Sequence, residues 1–382
     1  MNTNVAIDAG GAKRYAIVNY RQLGISICKI LYKERQIMTK PIGYMAGVNL
    51  GGWISQYDKY DHEHFKSFII EDDIKIISAT GMDHIRVPVD CPVLEDENRP
   101  GAWLNQGFEY LAQCIYWAKK QDMNVIIDLH KAPGFSFGTL DSNTLFTDKA
   151  MQARMIALWR EIARWFKGEG ANVMYELINE VVEPDSSRWN ALAQRLIGAV
   201  REVDAGHFIV VGGNNYNSVK ELKNIAIFDD PKIVYNFHMY EPIIFTHQHA
   251  SWMNELFEFN RDLRYPSDLS IYRDYVEKYA NTTSVEIVQK YEKMDGAFVR
   301  DFLQPAVDFQ NEYDKPMYCG EYGVIDNADM ASRENWSEDV SDFLIEHGIG
   351  RAMWSYKEMG FRLVGMDRKA VSDRLVKIYA KR

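Results

Sequence analysis

Asn172–Glu180 reads NVMYELINE, an apolar stretch that closes on the polar pair Asn179-Glu180. Its core, Val173–Glu176, is too short for a helix, which predicts a buried β-strand that delivers polar side chains at its carboxyl end. The same unit repeats outward in both directions. Upstream lie Met45–Leu50, His84–Val87 and Val125–Leu129; downstream lie Phe208–Val211, Ile233–Phe237, Pro316–Cys319 and Gly350–Trp354. Between them apolar residues recur at helical spacing, as in Phe108–Lys120, Met151–Phe166 and Trp189–Val203. Eight strands alternating with helices predict an α/β fold, a closed parallel (β/α)8 TIM barrel. A doubly wound open sheet is the rival, but no GxGxxG follows the first strand and polar residues close nearly every apolar run.

One interval is out of proportion. Strand six ends near Tyr240 and strand seven begins near Pro316, far more than a crossover helix needs. The interval is rich in aromatics (Trp252, Phe257, Phe259, Tyr265, Tyr272, Tyr275, Tyr279), unlike a disordered insertion. Residues 241–296 are therefore expected to form a small helical lid over the barrel mouth, with helix six at Ala297–Gln310.

The chain has 382 residues, 47% of them hydrophobic, enough for one large barrel domain over residues 45–382. The first 44 residues differ: seven Lys or Arg against Asp8 and Glu34 give +5, and the remainder carries −15 of the overall −10. Residues 1–37, just before Met38, read as an upstream extension or leader, with a basic targeting segment as the rival. They lack the apolar run and cleavage site of a signal peptide, so a cytoplasmic protein is expected unless export follows an unrecognised route. An acidic surface argues against nucleic acid or an anionic membrane as partner, and a monomer acting on a neutral substrate is expected. Cys28, Cys91, Cys114 and Cys319 are too scattered for a zinc site or a disulfide framework.

Barrel chemistry is built at the carboxyl ends of the strands. Those ends supply Arg86 from strand two, His130 from strand three, Asn179 and Glu180 from strand four, His238 and Tyr240 from strand six, Glu321 from strand seven and Trp354 from strand eight. Taken singly, each has a bland account as ion pair, core histidine or packing. Together they converge on one mouth. Two carboxylates from different strands can serve as general acid and nucleophile on one sugar bond, the minimum for glycoside hydrolysis.

The blocks VNLGGW (Val48–Trp53), HIRVPVD (His84–Asp90), DLHKAPG (Asp128–Gly134), ELINEVVEP (Glu176–Pro184), NFHMYEP (Asn236–Pro242), CGEYG (Cys319–Gly323) and AMWSYKE (Ala352–Glu358) run in the order found in glycoside hydrolase family 5, the retaining cellulase family, which the chain resembles. The resemblance implies Glu180 as acid/base and Glu321 as nucleophile. It implies Arg86, His130, Asn179, His238, Tyr240 and Trp354 as the rest of the site, with Trp53 and Trp252 as further sugar-stacking faces, and no cofactor or metal. FTHQHASW (Phe245–Trp252) with the long insertion resembles the lidded bacterial endoglucanases of the C type. The expected substrate is therefore a β-1,4-glucan chain or oligosaccharide, with mixed-linkage β-1,3-1,4-glucan beside it; exo-β-1,3-glucanase and β-mannanase are the alternatives within the family.

Rival readings come from other residues. His62/His64 and His247/His249 have the His-x-His spacing of a metal-dependent hydrolase, against a helix start for the first pair and either a subsite edge or helix-start packing for the second. Glu176 and Glu183 are candidate replacements for Glu180, though one sits within the strand and the other past it. The cluster GGNNYNS (Gly212–Ser218) either reaches the substrate or is a plain turn. A silent sugar-binding barrel would lack one carboxylate, and this chain has both.

Overall fold

The computed structural model describes residues 40–279 and 282–382; the leader expected over residues 1–37, with Cys28, lies outside them. Its main strands are β1 (Ala46–Asn49), β2 (His84–Asp90), β3 (Asn124–Lys131), β4 (Val173–Glu176), β5 (Phe208–Gly212), β6 (Ile233–Met239), β7 (Met317–Tyr322) and β8 (Gly350–Met353). They pair in chain order and β8 returns to β1, closing a barrel in which every pairing is parallel. Helices Glu71–Ala79, Asn105–Lys119, Lys149–Phe166, Ser186–Arg201, Gly296–Tyr313, Met330–Glu346 and Asp373–Ala380 follow seven of the strands. After β5 come the tight turn Asn214–Asn217 and the short 3₁₀ helix Val219–Asn224. Asp148, Asp185, Asp295 and Asp329 begin four of the helices, each carboxylate accepting a backbone N–H of the first turn.

Alternation along the strands sorts the interior into layers. Val125, Ile127 and Leu129 of β3 join the large cluster between strands and helices. Ile126 of the same strand belongs to a separate cluster with Tyr44, Met174, Val210, Val234, Tyr318 and Ala352, which fills the barrel itself. Two residues further along each strand the inward set turns polar: Asp128 after Ile126, Glu176 after Met174, Asn236 after Val234. All three are fully buried. One more step brings His130 and His238 to the mouth.

The insertion between β6 and Gly296–Tyr313 is ordered as the short helices Ile243–Thr246 and Asn254–Phe259, the helices Ser270–Tyr279 and Thr282–Lys290, and an antiparallel pair, Ser267–Asp268 with Lys293–Met294. Among the described residues no helix is long and apolar enough to cross a membrane.

Candidate active site

Arg86 organises the site. Its guanidinium is fully buried and donates Nε–H and Nη2–H to the two oxygens of Glu176 (2.7 and 2.8 Å). It also donates Nη1–H to Asn49 Oδ1 and Glu321 Oε1 (both 2.8 Å) and Nη2–H to Asn179 Oδ1 (2.9 Å), with Asp128 Oδ2 3.0 Å away. Only a planar fork with five N–H groups can serve so many acceptors at once. Three carboxyls crowd this one cation, and burial pushes Asp128 up to about 7 and Glu176 above its ordinary value. Asn236 Nδ2 secures Glu176 Oε1 from the far side at 2.8 Å.

The two carboxylates of the mouth stand close together in different surroundings. Glu180, His238 and Glu321 each bring one atom within 4.8 Å of the others. Glu321 receives Arg86 on Oε1 and the hydroxyl of Tyr240 on Oε2 (2.9 Å). Burial pushes the Tyr240 phenol well up, which keeps it a donor. Among the described residues no Lys or Arg pairs with Glu180; its hydrogen-bond partner is His238 Nδ1, 2.8 Å from Oε1, and burial pushes its carboxyl up to about 7. Burial raises Glu321 above its ordinary value as well, with His238 and then the Arg86 charge opposing the rise. Glu180 also has a backbone φ of 42°, the left-handed region that side chains rarely adopt. That twist is fixed from both sides, by Asn179 N–H on Leu129 O and Tyr216 N–H on Val181 O (3.1 Å each).

Burial pushes His130 and His238 down to about 4, so both rings are neutral at ordinary pH. His130 Nδ1 lies 2.6 Å from Asp128 Oδ2, while its Nε2 is buried and unpartnered. Asn179 Nδ2 is unpartnered in the same way. Trp354 lies parallel to His130, with planes 3° apart and centroids at 5.6 Å, and is backed by Ile325 and Phe361. Gly51 makes room for the indole: a Cβ there would lie 3.0 Å from it.

Trp53 is a correction. It is only 1% exposed, packs in the main core and donates its indole N–H to Phe65 O at 2.6 Å, so no ring face is left for a sugar. Trp252 stands 58% exposed at the rim, edge-on to His247, whose ring contacts Tyr240. The histidine pairs do not act as pairs. Asp61 caps the helix His62–Ser67, and within it His62 faces the Tyr110 hydroxyl while His64 reaches Gly52 O. His249 turns away to Asn260 and Asp262. Glu183 is tied to Arg188, away from the mouth. Cys91, Cys114 and Cys319 are buried free thiols.

The family model for cellulases, glycosyl hydrolase family 5, matches residues 45–360. The chain belongs to glycosyl hydrolase family 5. Family 5 membership makes it a glycoside hydrolase, and its relatives agree. Endoglucanase C of Acetivibrio thermocellus is 42% identical over 341 residues, covering 89% of this chain and 99% of that protein. Cellodextrinase A of Ruminococcus flavefaciens is 32% identical over 316 residues, covering 82% and 86%. Among solved structures, an endoglucanase superimposes with a TM-score of 0.72 at 21% identity, covering 91% of this chain and all of that one. Thermotoga maritima Cel5A in complex with mannotriose gives 0.72 at 19% identity, covering 91% and 99%. At such identities the superpositions establish the fold.

Within this family 5 site, sequence reasoning passed over Asn49, Asp128, Asn217 and Asn236, and weighed Glu176 only as a replacement for Glu180. Two of them carried a signal: Asp128 and Asn236 each stand inside an apolar strand two residues before a site histidine, on the side that must face the barrel interior. Asn217 had no such signal, because it sits in a Gly/Asn turn.

Proposed function

We propose that the protein is a retaining endo-β-1,4-glucanase that uses Glu321 as nucleophile and Glu180 as acid/base. The observation that carries this is the close approach of the two carboxyls, within 4.8 Å, in unlike environments. Retaining enzymes need about 5–5.5 Å between them, whereas inverting ones leave room for a water at about 6.5–9.5 Å. Glu321, facing Arg86 and Tyr240, attacks the anomeric carbon as the anion. Glu180 begins protonated and passes its proton to the departing glycosidic oxygen. Once Glu321 is bound to the sugar its charge is gone, Glu180 ionises more easily, and it takes a proton from the water that attacks the same carbon. Each displacement inverts, so the product keeps its configuration.

Asn179 Nδ2 and His130 Nε2 supply one free donor and one free acceptor for adjacent sugar hydroxyls, and the Trp354 face takes the apolar side of the ring. The β-1,4-glucan assignment rests on the endoglucanase C relatives, with mixed-linkage β-glucan as a further substrate. The insertion would border the cleft through His247 and Trp252, acting as the lid. A metal does not suit the site: a cation at Glu180, His238 and Glu321 would face the Arg86 guanidinium 2.8 Å from Glu321.

Hydrolysis of carboxymethyl cellulose, barley β-glucan, laminarin and glucomannan, each with and without chelator, tests the assignment. Rapid loss of viscosity on the first two with no effect of chelator is expected; preference for laminarin or glucomannan, or inhibition by chelator, would displace it. The pH profile follows from Glu180. It must be protonated to act and its carboxyl titrates at about 7, so kcat/KM is expected to fall above pH 7, about tenfold per unit. A plateau extending past pH 9 would assign the acid to another group.

A further inference from the structure

The turn after β5 holds a side chain that the reaction as described does not use. Asn215, Tyr216 and Asn217 follow one another in the left-handed region, with φ of 50°, 59° and 54°. Three such residues in succession are costly for anything but glycine, and Asn tolerates the conformation best. The result is to bury Asn217 completely and set its Nδ2 3.2 Å from His238 Nε2. The fit is close: a Cβ on Gly212 would come within 2.2 Å of Asn217 Oδ1, so Gly212 is the residue that admits the amide. Among the described residues Asn217 Oδ1 has no hydrogen-bond partner, and the contact with the histidine is the one bond the side chain makes.

A neutral imidazole carries one proton. With Asn217 donating to Nε2, that nitrogen presents its lone pair, so the proton sits on Nδ1 and points at Glu180 Oε1, 2.8 Å away. We infer that Asn217 is a positioning residue: it fixes the tautomer of His238 so that the ring donates to Glu180, stabilising the carboxylate that the second half of the reaction needs. The inference rests on the two-glutamate reading above.

Other charges reach the same pair. Glu321 lies 3.7 Å from His238 Nδ1 and favours a proton there. Arg86, Glu176, Asp128 and His130 act on the two groups from β2, β3 and β4, Tyr240 donates to Glu321, and Tyr216 is close enough to feel Glu180. None of them bonds to Nε2, so the choice of tautomer falls to Asn217.

Two substitutions at this position pull in opposite directions. Asn217→Gly removes the amide and suits the left-handed backbone; His238 is then free to take the other tautomer, Glu180 loses its donor, and the alkaline limb of kcat/KM moves up. Asn217→Asp keeps the shape and the backbone preference but draws a proton onto Nε2. The ring becomes an imidazolium beside Glu180, nearer to it than the introduced carboxylate, and the limb moves down by about one unit or more. A residue that merely filled space would lower activity without moving the limb in opposite directions.

The decisive measurement is ¹⁵N NMR of the His238 ring in the full-length free protein, assigned with a His238→Gln variant, beside pH profiles of wild type, Asn217→Gly and Asn217→Asp. Protonated Nδ1 with bare Nε2 in wild type, both nitrogens protonated in Asn217→Asp, and limbs displaced in opposite senses are expected. A proton on Nε2 in wild type, or limbs unmoved in both variants, would overturn the inference. Retained activity in Glu180→Gln would instead overturn the two-glutamate reading, and the tautomer of the free protein is judged apart from it.

Discussion

Glu321→Gln is expected to lower kcat by about 10⁴- to 10⁶-fold, roughly 5–8 kcal/mol of barrier, while the protein stays folded. The substitution removes the anion without changing the shape of the side chain. It also takes one charge from the three carboxyls facing Arg86, so the melting temperature should hold or rise. The roles of the two glutamates can then be separated by geometry. In Glu321→Gly, azide fills the nucleophile's place, attacks an activated aryl glycoside once and yields the inverted glycosyl azide. In Glu180→Gly, Glu321 still forms the covalent intermediate, and azide entering from the opposite face gives a product of retained configuration. Reversed configurations in the two variants would exchange the assigned roles, and a normal rate in Glu321→Gln would end the mechanism.

Arg86→Met should be the most damaging single change to the fold at this site. It strips the shared cation from Asp128, Glu176 and Glu321 and leaves the acceptors of Asn49 and Asn179 without their donor. Removing one partner from a buried ionic network costs about 3–5 kcal/mol, a large part of the roughly 5–15 kcal/mol that holds an ordinary domain together. The orphaned carboxyls would take up protons, so surviving activity should show its acidic limb at higher pH. Arg86→Lys separates charge from shape: a single ammonium cannot reach both oxygens of Glu176 and the four other side chains, and about 10²-fold of kcat should go even where stability largely returns. Thermal melts and pH profiles of both variants decide the point. Wild-type melting in Arg86→Met would mean that the network contributes little.

Much of this was open to reading from the chain, and the failures have physical causes. All eight strands were placed because apolar runs of strand length alternate with helical periodicity. Their ends were less legible: β3, β6 and β7 run on to Lys131, Met239 and Tyr322, past the points where hydropathy falls. A polar residue normally marks the edge of a buried strand, but Asp128 stays paired within the sheet, and His238 pairs with Glu321 across a register shift, because their side-chain partners lie inside the barrel. The two glutamates were visible because each follows an apolar run closely. Trp53 was misplaced because an indole after two glycines at a strand end resembles a sugar platform, and a turn of the backbone sends it into the core instead. Asn217 was hidden because turn chemistry is a sufficient reason for a Gly/Asn cluster, and only three dimensions set its amide beneath His238.

The apolar layer of Tyr44, Ile126, Met174, Val210, Val234, Tyr318 and Ala352 lies across the barrel below the charged groups. At the opposite end, Asp83 and His84 form their own hydrogen-bonded pair, 2.7 Å apart. The layer is a stopper between two electrical compartments. The glutamates therefore exchange water and protons on the mouth side of the layer, the side on which the sugar binds.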